Sequence, residues 1–347
     1  MKTQVQNQRQ IVIKKARLSI ASYCYVALLG VINVPNSEAD WTKTIDNSTY
    51  YTSDVALFSV TRRLSLKNDP TQPVVDRPKQ GGDFVYEPDA KLKWSGINNW
   101  GKVTGSVKAS GYIFANQAAY NHAMIETHLT QTFSTDTHIN IRYNLIPNLY
   151  IGQNSFRVTD VQSYDQSEIV TSQYWSMQVD QPFTDKITGT VYSRYGLRNY
   201  NAPFQYRDTK FWTLGPRFKW FLSPKAELLV GYHYEVGNAN SQQNLYARDN
   251  ISYVSNYAST ELTVHWLTDF SSTFILDYEN NNYTTNKSSD MQYGTSESVY
   301  QGEAALLYQV NKIAALKLGW QYGNRKLTSD SQNIAINNVW LGLLTSF

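Results

Sequence analysis

The chain has 347 residues, a mean hydropathy of −0.46 and 14% aromatic residues, 26 of them tyrosines. No stretch after residue 40 supplies the roughly 20 consecutive apolar residues that a membrane-spanning helix needs, so any crossing must be made by short alternating strands. The formal charge of +3 gives no concentrated cationic face, so no nucleic-acid partner is expected.

Residues 1–39 read as an export signal. Lys14, Lys15 and Arg17 precede an apolar run over 18–34, followed by Pro35 and the small-x-small pattern of Ser37, Glu38 and Ala39, which places the mature start near Asp40. An uncleaved anchor is the competing reading, for which the run is slightly short and carries Ser, Tyr and Asn. A lipoprotein signal at Cys24 is opposed by the bulky Tyr23 beside it. Without this segment 26 basic and 27 acidic residues remain, a charge of about −1, and the only cysteine is gone. That leaves neither a disulfide framework nor a thiol metal site.

Residues 40–347 read as one domain of alternating stretches. Strands are predicted near 53–66, 83–95, 102–114, 122–134, 137–150, 168–181, 186–197, 208–222, 226–237, 251–267, 271–283, 297–310, 312–324 and 334–347. The links alternate as well. Those at 96–101, 135–136, 182–185, 223–225, 268–270 and 311 are short, whereas 68–82, 152–167, 198–207, 238–250 and 284–296 are long. Tight periplasmic turns and extended outer loops produce this pattern in a closed antiparallel transmembrane β-barrel, here of about fourteen strands with twelve to sixteen as the range. An even count brings both termini to the periplasmic side.

Successive side chains in a strand point to opposite faces. Leu228, Val230, Tyr232, Tyr234 and Val236 make one apolar face against Leu229, Gly231, His233 and Glu235. Ile139, Ile141, Tyr143 and Leu145 oppose His138, Asn140, Arg142 and Asn144, and Trp212, Leu214, Pro216, Phe218 and Trp220 oppose Thr213, Gly215, Arg217 and Lys219. Rings at strand ends are expected to form two interfacial bands: Trp94, Phe133, Trp220, Trp266 and Tyr308 near the short turns, Tyr86, Tyr195, Tyr234 and Tyr283 nearer the long loops. In the first expected strand Arg62 and Arg63 put one charge on each face, which leaves its register ambiguous.

The last residues, with Val339, Leu341, Leu343 and Phe347 at alternate positions, resemble the C-terminal signature of bacterial outer-membrane β-barrel proteins; Thr345 departs from it. The resemblance implies a last barrel strand recognised by the barrel assembly machinery, and outer-membrane lipid as surroundings. The strand plan, over nearly all of 50–347, resembles the monomeric fourteen-stranded porin-like channels, which favours a monomer while oligomeric state stays open. Unlike the fatty-acid channels of that strand number, this chain has only about ten residues between its expected mature start and its first expected strand, too few to fold a plug of their own.

Barrel diameter grows with strand number, and fourteen lies nearer the open porins than the filled eight-stranded barrels. Candidate lumen-lining residues are Lys91, Lys93, Lys108, Arg142, Arg194, Arg217 and Lys219, with Glu87, Asp89, Glu126 and Asp180 as exceptions to their sign, then Glu235, Glu261, Asp277, Glu279 and Glu303, after which Lys317 and Arg325 restore positive charge. At similar heights these would form facing basic and acidic walls and a field across the pore. Simple pairing that keeps the lumen wet accounts for the same charges equally well.

The expected function is passive diffusion of small hydrophilic solutes without a cofactor. A surface receptor or adhesin whose long loops, such as 280–298, bind a partner is the alternative. An outer-membrane enzyme is less well supported. His122, His128, His138, His233 and His265 lie on separate strands or strand ends, and no HExxH, GxSxG or phosphate-binding glycine loop occurs.

Overall fold

One sheet can face hydrocarbon on one side and water on the other only if its strands alternate and its edges are closed, because an unpaired backbone group in lipid costs several kcal/mol. A computed structural model of the chain shows this arrangement. It describes residues 40–61, 79–157, 162–240, 249–328 and 333–347, without the side chains of 59–61. The expected export signal, Arg62 and Arg63 lie outside the described residues.

Fourteen strands are present among them: β1 (Asp40–Thr52), β2 (Asp83–Asn98), β3 (Gly101–Phe114), β4 (His122–Phe133), β5 (His138–Arg157), β6 (Ser163–Thr184), β7 (Ile187–Tyr200), β8 (Thr209–Ser223), β9 (Ala226–Ala239), β10 (Tyr253–His265), β11 (Phe270–Tyr283), β12 (Ser296–Gln309), β13 (Ala314–Leu327) and β14 (Asn333–Ser346). Each pairs antiparallel with its chain neighbours, and β1 pairs with β14 to close the barrel. Reciprocal bonds between Lys43 and Phe347 (2.9 and 2.8 Å) hold the closure beside the short turns, so the start of β1, the end of β14 and the tight links share one end of the barrel. Two of those turns need left-handed backbone. Asp136 has φ 58°, and Gly101 has φ 127°, where a Cβ would come within 2.3 Å of the Thr132 carbonyl oxygen.

The outward face is mainly apolar. On β8, Trp212, Leu214, Phe218 and Trp220 are exposed while Thr213 and Arg217 on the other face are buried. On β14, Val339, Leu341 and Leu343 point out with Phe347, so the alternate positions of the C-terminal signature form one lipid-facing row. Outward rings also pair across strands, Tyr278 with Tyr300 at 4.8 Å and Tyr51 with Phe84 at 5.3 Å. Two expected girdle rings behave differently. Tyr283 shares the inner face of β11 with Glu279 and is buried in the lumen, and Trp94 is buried with its ring over Gly105.

The first strand is the main correction. The stretch expected as a strand at 53–66 instead begins with a short helix, α1 (Val55–Thr61), with 62–66 outside the described residues, and the first strand among the described residues is Asp40–Thr52. The outward residues of β1 include Lys43, Asn47 and Thr49, which hide its alternation. The apolar run Val55, Ala56, Leu57 and Phe58 looks strand-like but packs inside the barrel. Asp54 begins the helix: its carboxylate accepts from the Ala56 amide (3.1 Å) and from the Lys79 and Gln80 amides (2.6 and 3.2 Å), pinning the far end of the connection to its start. The start of the connection after β1 thus packs into the lumen through Val55, Ala56, Leu57 and Phe58.

The expected loop over 152–167 is also largely strand. β5 and β6 run on as a hairpin, with register shifts between Ile146 and Leu149 and between Tyr150 and Gly152. Positive φ at Asn148 (51°) and Gly152 (147°) accommodates the shifts, and Leu149 and Ile151 are thereby buried in the inner cluster.

Candidate functional site: the lumen

The lumen has three levels. At the short-turn end lies a cavity of about 780 Å³ lined by side chains that include His138, Asp180, Arg217, Lys219, Glu227, Glu261, His265, Glu303 and Lys317. His265, Phe221 and Leu307 at its rim are exposed, so it opens as a vestibule at that end. Period-two alternation places all its polar groups on the inner face, and the register sets Arg217 beside Thr190 and Glu261 beside Ile275. Asp180 is held by Asn140 (2.7 Å), Gln178 (2.7 Å) and Thr190 (2.6 Å); Lys219 pairs with Glu227 at 2.9 Å, and Lys317 pairs with Asp46.

Above the vestibule sits a buried layer of charges and rings. The Arg194 guanidinium donates to Glu235 at 2.5 Å and to the Thr213 hydroxyl at 3.0 Å, and the Tyr253 hydroxyl donates to the other Glu235 oxygen at 2.5 Å. Arg198 lies 4.7 Å over the Phe211 ring and 3.8 Å from Glu235. Lower down, Arg217 lies 4.5 Å over Tyr192 and donates to His233 at 3.2 Å, and His233 stacks on Tyr192 at 4.9 Å. Across the barrel Tyr257 donates to Asp277 at 2.7 Å, Ser255 to Glu279 at 3.3 Å, and Arg325 pairs with Glu297. Desolvated charges of this kind persist because they are paired; removing one partner of such a buried pair costs about 3–5 kcal/mol.

The long-loop half is filled by apolar packing. Phe58 of α1 meets Tyr50 at 5.5 Å, Phe114 at 6.0 Å and Tyr112 at 6.4 Å, and Tyr50 stacks on Trp340 at 5.6 Å. Val55, Leu57 and Phe58 are completely buried, as is Phe204 in the β7–β8 connection. In the β11–β12 connection burial pushes the Asp290 carboxyl up, against hydrogen bonds from the Gln292 and Asn250 amides that lower it.

The candidate lining residues are distributed over these levels. Arg217, Lys219, Glu261 and Glu303 line the vestibule. Arg194, Glu235, Asp277 and Glu279 belong to the buried layer. Lys91 and Lys93 continue the face of β2 that carries the buried Glu87, toward the short-turn end. Lys108 pairs with Asp89 at 2.6 Å and Arg142 with Glu126 at 3.7 Å. Much of the charge is therefore paired along the wall. The sequence reading missed Arg198, although it lies four residues after Arg194 on the same face. It also missed the inward rings of Tyr192, Phe211, Tyr253, Tyr257 and Trp340, because alternation alone does not separate a lumen ring from a girdle ring.

A closed antiparallel barrel with a mainly apolar, ring-bearing exterior and a polar vestibule has the architecture of a transmembrane β-barrel. No protein-family model matches the chain, and no curated protein matches it in sequence. Among solved structures it is similar in fold to the anion-selective porin of Comamonas acidovorans (8% identity, 89% of this chain and 99% of that one, TM-score 0.42). Another is the outer-membrane channel DcaP of Acinetobacter baumannii (11% identity, 90% and 99%, TM-score 0.47). A third is the outer-membrane protein OpdK of Pseudomonas aeruginosa (9% identity, 89% and 99%, TM-score 0.41). At these identities and scores the likenesses carry no activity over to this chain.

Proposed function

We propose that this protein is a non-enzymatic outer-membrane channel for small hydrophilic solutes, held closed in this structure on its long-loop side. The vestibule carries the reading. Its volume of about 780 Å³ falls in the range of cavities that take small molecules, and its lining of Arg217, Lys219, Glu227, Glu261 and Glu303 suits a hydrated solute rather than a lipid. Arg217 and Lys219 come from β8 and Glu261 and Glu303 from β10 and β12, so opposite signs on different parts of the wall would orient a dipolar solute passing between them. Passage requires α1 and the neighbouring connections to move.

The packed long-loop half also suits a surface receptor whose barrel is only a mount. Liposome swelling separates the two. A channel admits a pentose slowly, and faster when residues 53–58 are replaced by a glycine-serine segment. A barrel that stays tight with both versions supports the receptor.

A further inference from the structure

We propose that Arg207 is the latch that holds the extracellular connections together over the lumen. It ends the 3₁₀ segment Ala202–Arg207 between β7 and β8 and is 3% exposed. One Nη1 donates to both Glu168 oxygens at 2.9 Å, Nε donates to Asp249 Oδ2 at 2.8 Å, and the remaining nitrogen, Nη2, donates to the same Asp249 oxygen. Glu168 lies on the extended β5–β6 hairpin and also accepts from Asn154; Asp249 lies between β9 and β10 and accepts from Gln292, between β11 and β12, at 3.5 Å. One guanidinium thus joins the β7–β8 connection to the end of β6 and to the β9–β10 connection, through partners 39 and 42 residues away in sequence, and Asp249 extends the contact to the β11–β12 connection. Its planar fork can hold two carboxylates at once, which an ammonium cannot do with the same geometry.

Among the described residues the guanidinium is shared by two buried carboxylates, so loss of Arg207 removes the cation that holds Glu168 and Asp249 together. Repulsion and desolvation then favour moving the connections apart, where both carboxylates become hydrated. Arg207 stands outside β7 and β8, so no strand hydrogen bond is lost with it. The guanidinium therefore ties two connections to the extended end of β6 without itself being part of a strand. The latch rests on the channel reading only for its effect on conductance.

The test uses Ser252, which is fully buried three residues after Asp249. In Ser252→Cys, reaction with a water-soluble maleimide is slow. Adding Arg207→Met is expected to raise the labelling rate at least tenfold while the barrel keeps its heat-modifiable migration on gels, and Asp249→Asn, which leaves a neutral Arg207–Glu168 pair, to raise it about threefold, on the order of 0.7 kcal/mol. A rate within twofold of the parent in whichever variant folds overturns the latch. Faster labelling with no gain in pentose permeation upholds the latch and counts against the channel.

Discussion

Phe58→Ala isolates the role of α1. Phe58 is completely buried and touches three inward rings, Tyr50, Tyr112 and Phe114, between 5.5 and 6.4 Å. Truncating a buried phenylalanine costs about 3–5 kcal/mol, to which edge-on ring pairs contribute about 0.5–1.5 kcal/mol each. The side chain belongs to a segment outside the strand ladder, so the loss falls on docking of α1 and not on closure of the sheet. At about 3 kcal/mol, and about 1.4 kcal/mol per factor of ten, the undocked population rises about a hundredfold. Single-channel recording in planar bilayers should therefore show open time increased by about two orders of magnitude, with the denaturant midpoint of the barrel unchanged. A lowered midpoint with unaltered open time would refute the reasoning, since Phe58 would then be part of the fold's core and not of a displaceable plug.

The vestibule charges are tested by reversal potentials in a salt gradient. Glu261→Lys should shift preference toward anions and Arg217→Glu toward cations, and an unmoved potential in both removes the charged-wall reading. On the outer face, Leu276→Arg places a cation at the centre of β11, where Leu276 is 69% exposed to the surroundings; about 2–4 kcal/mol of barrel stability should be lost in lipid, measured by urea unfolding in vesicles. A Cβ on Gly319 would lie 2.1 Å from the Trp340 ring, so Gly319→Ala should destabilise by about 1–3 kcal/mol in the same assay, and a neutral result would show that the ring moves freely. Deleting Phe347 should slow assembly in the presence of the barrel assembly machinery while refolding in detergent proceeds at the parent rate; equal slowing in detergent would mean that the residue acts through the closure with Lys43 alone.

Most of the barrel was legible because hydrocarbon on one side and water on the other force a period of two, and that signal is strong where the outward face is unbroken, as from Trp212 to Trp220. It failed at β1, where Lys43, Asn47 and Thr49 interrupt the lipid-facing row. It misled at Val55 to Phe58, where four consecutive apolar residues carry no period and their place is set by rings contributed by β1 and β3. The vestibule residues on β8 to β12 were readable from alternation for the same reason as the strands. The Arg207 cluster was not, since its members come from the extended ends of β5 and β6 and from three connections, and no spacing in the chain relates 154, 168, 207, 249 and 292. Tyr283 was placed in the girdle because it ends a strand near a long loop. One position of parity, shared with Glu279, sends it inward.

Two positions three residues apart on β11 test the two-sided wall most directly. Thr273 lines the vestibule and Leu276 faces outward. In lipid vesicles with a membrane-impermeant maleimide on both sides, Thr273→Cys should react readily and Leu276→Cys should stay protected. Reaction of both at the same rate would mean that water bathes both surfaces of the sheet, which contradicts a membrane-spanning barrel.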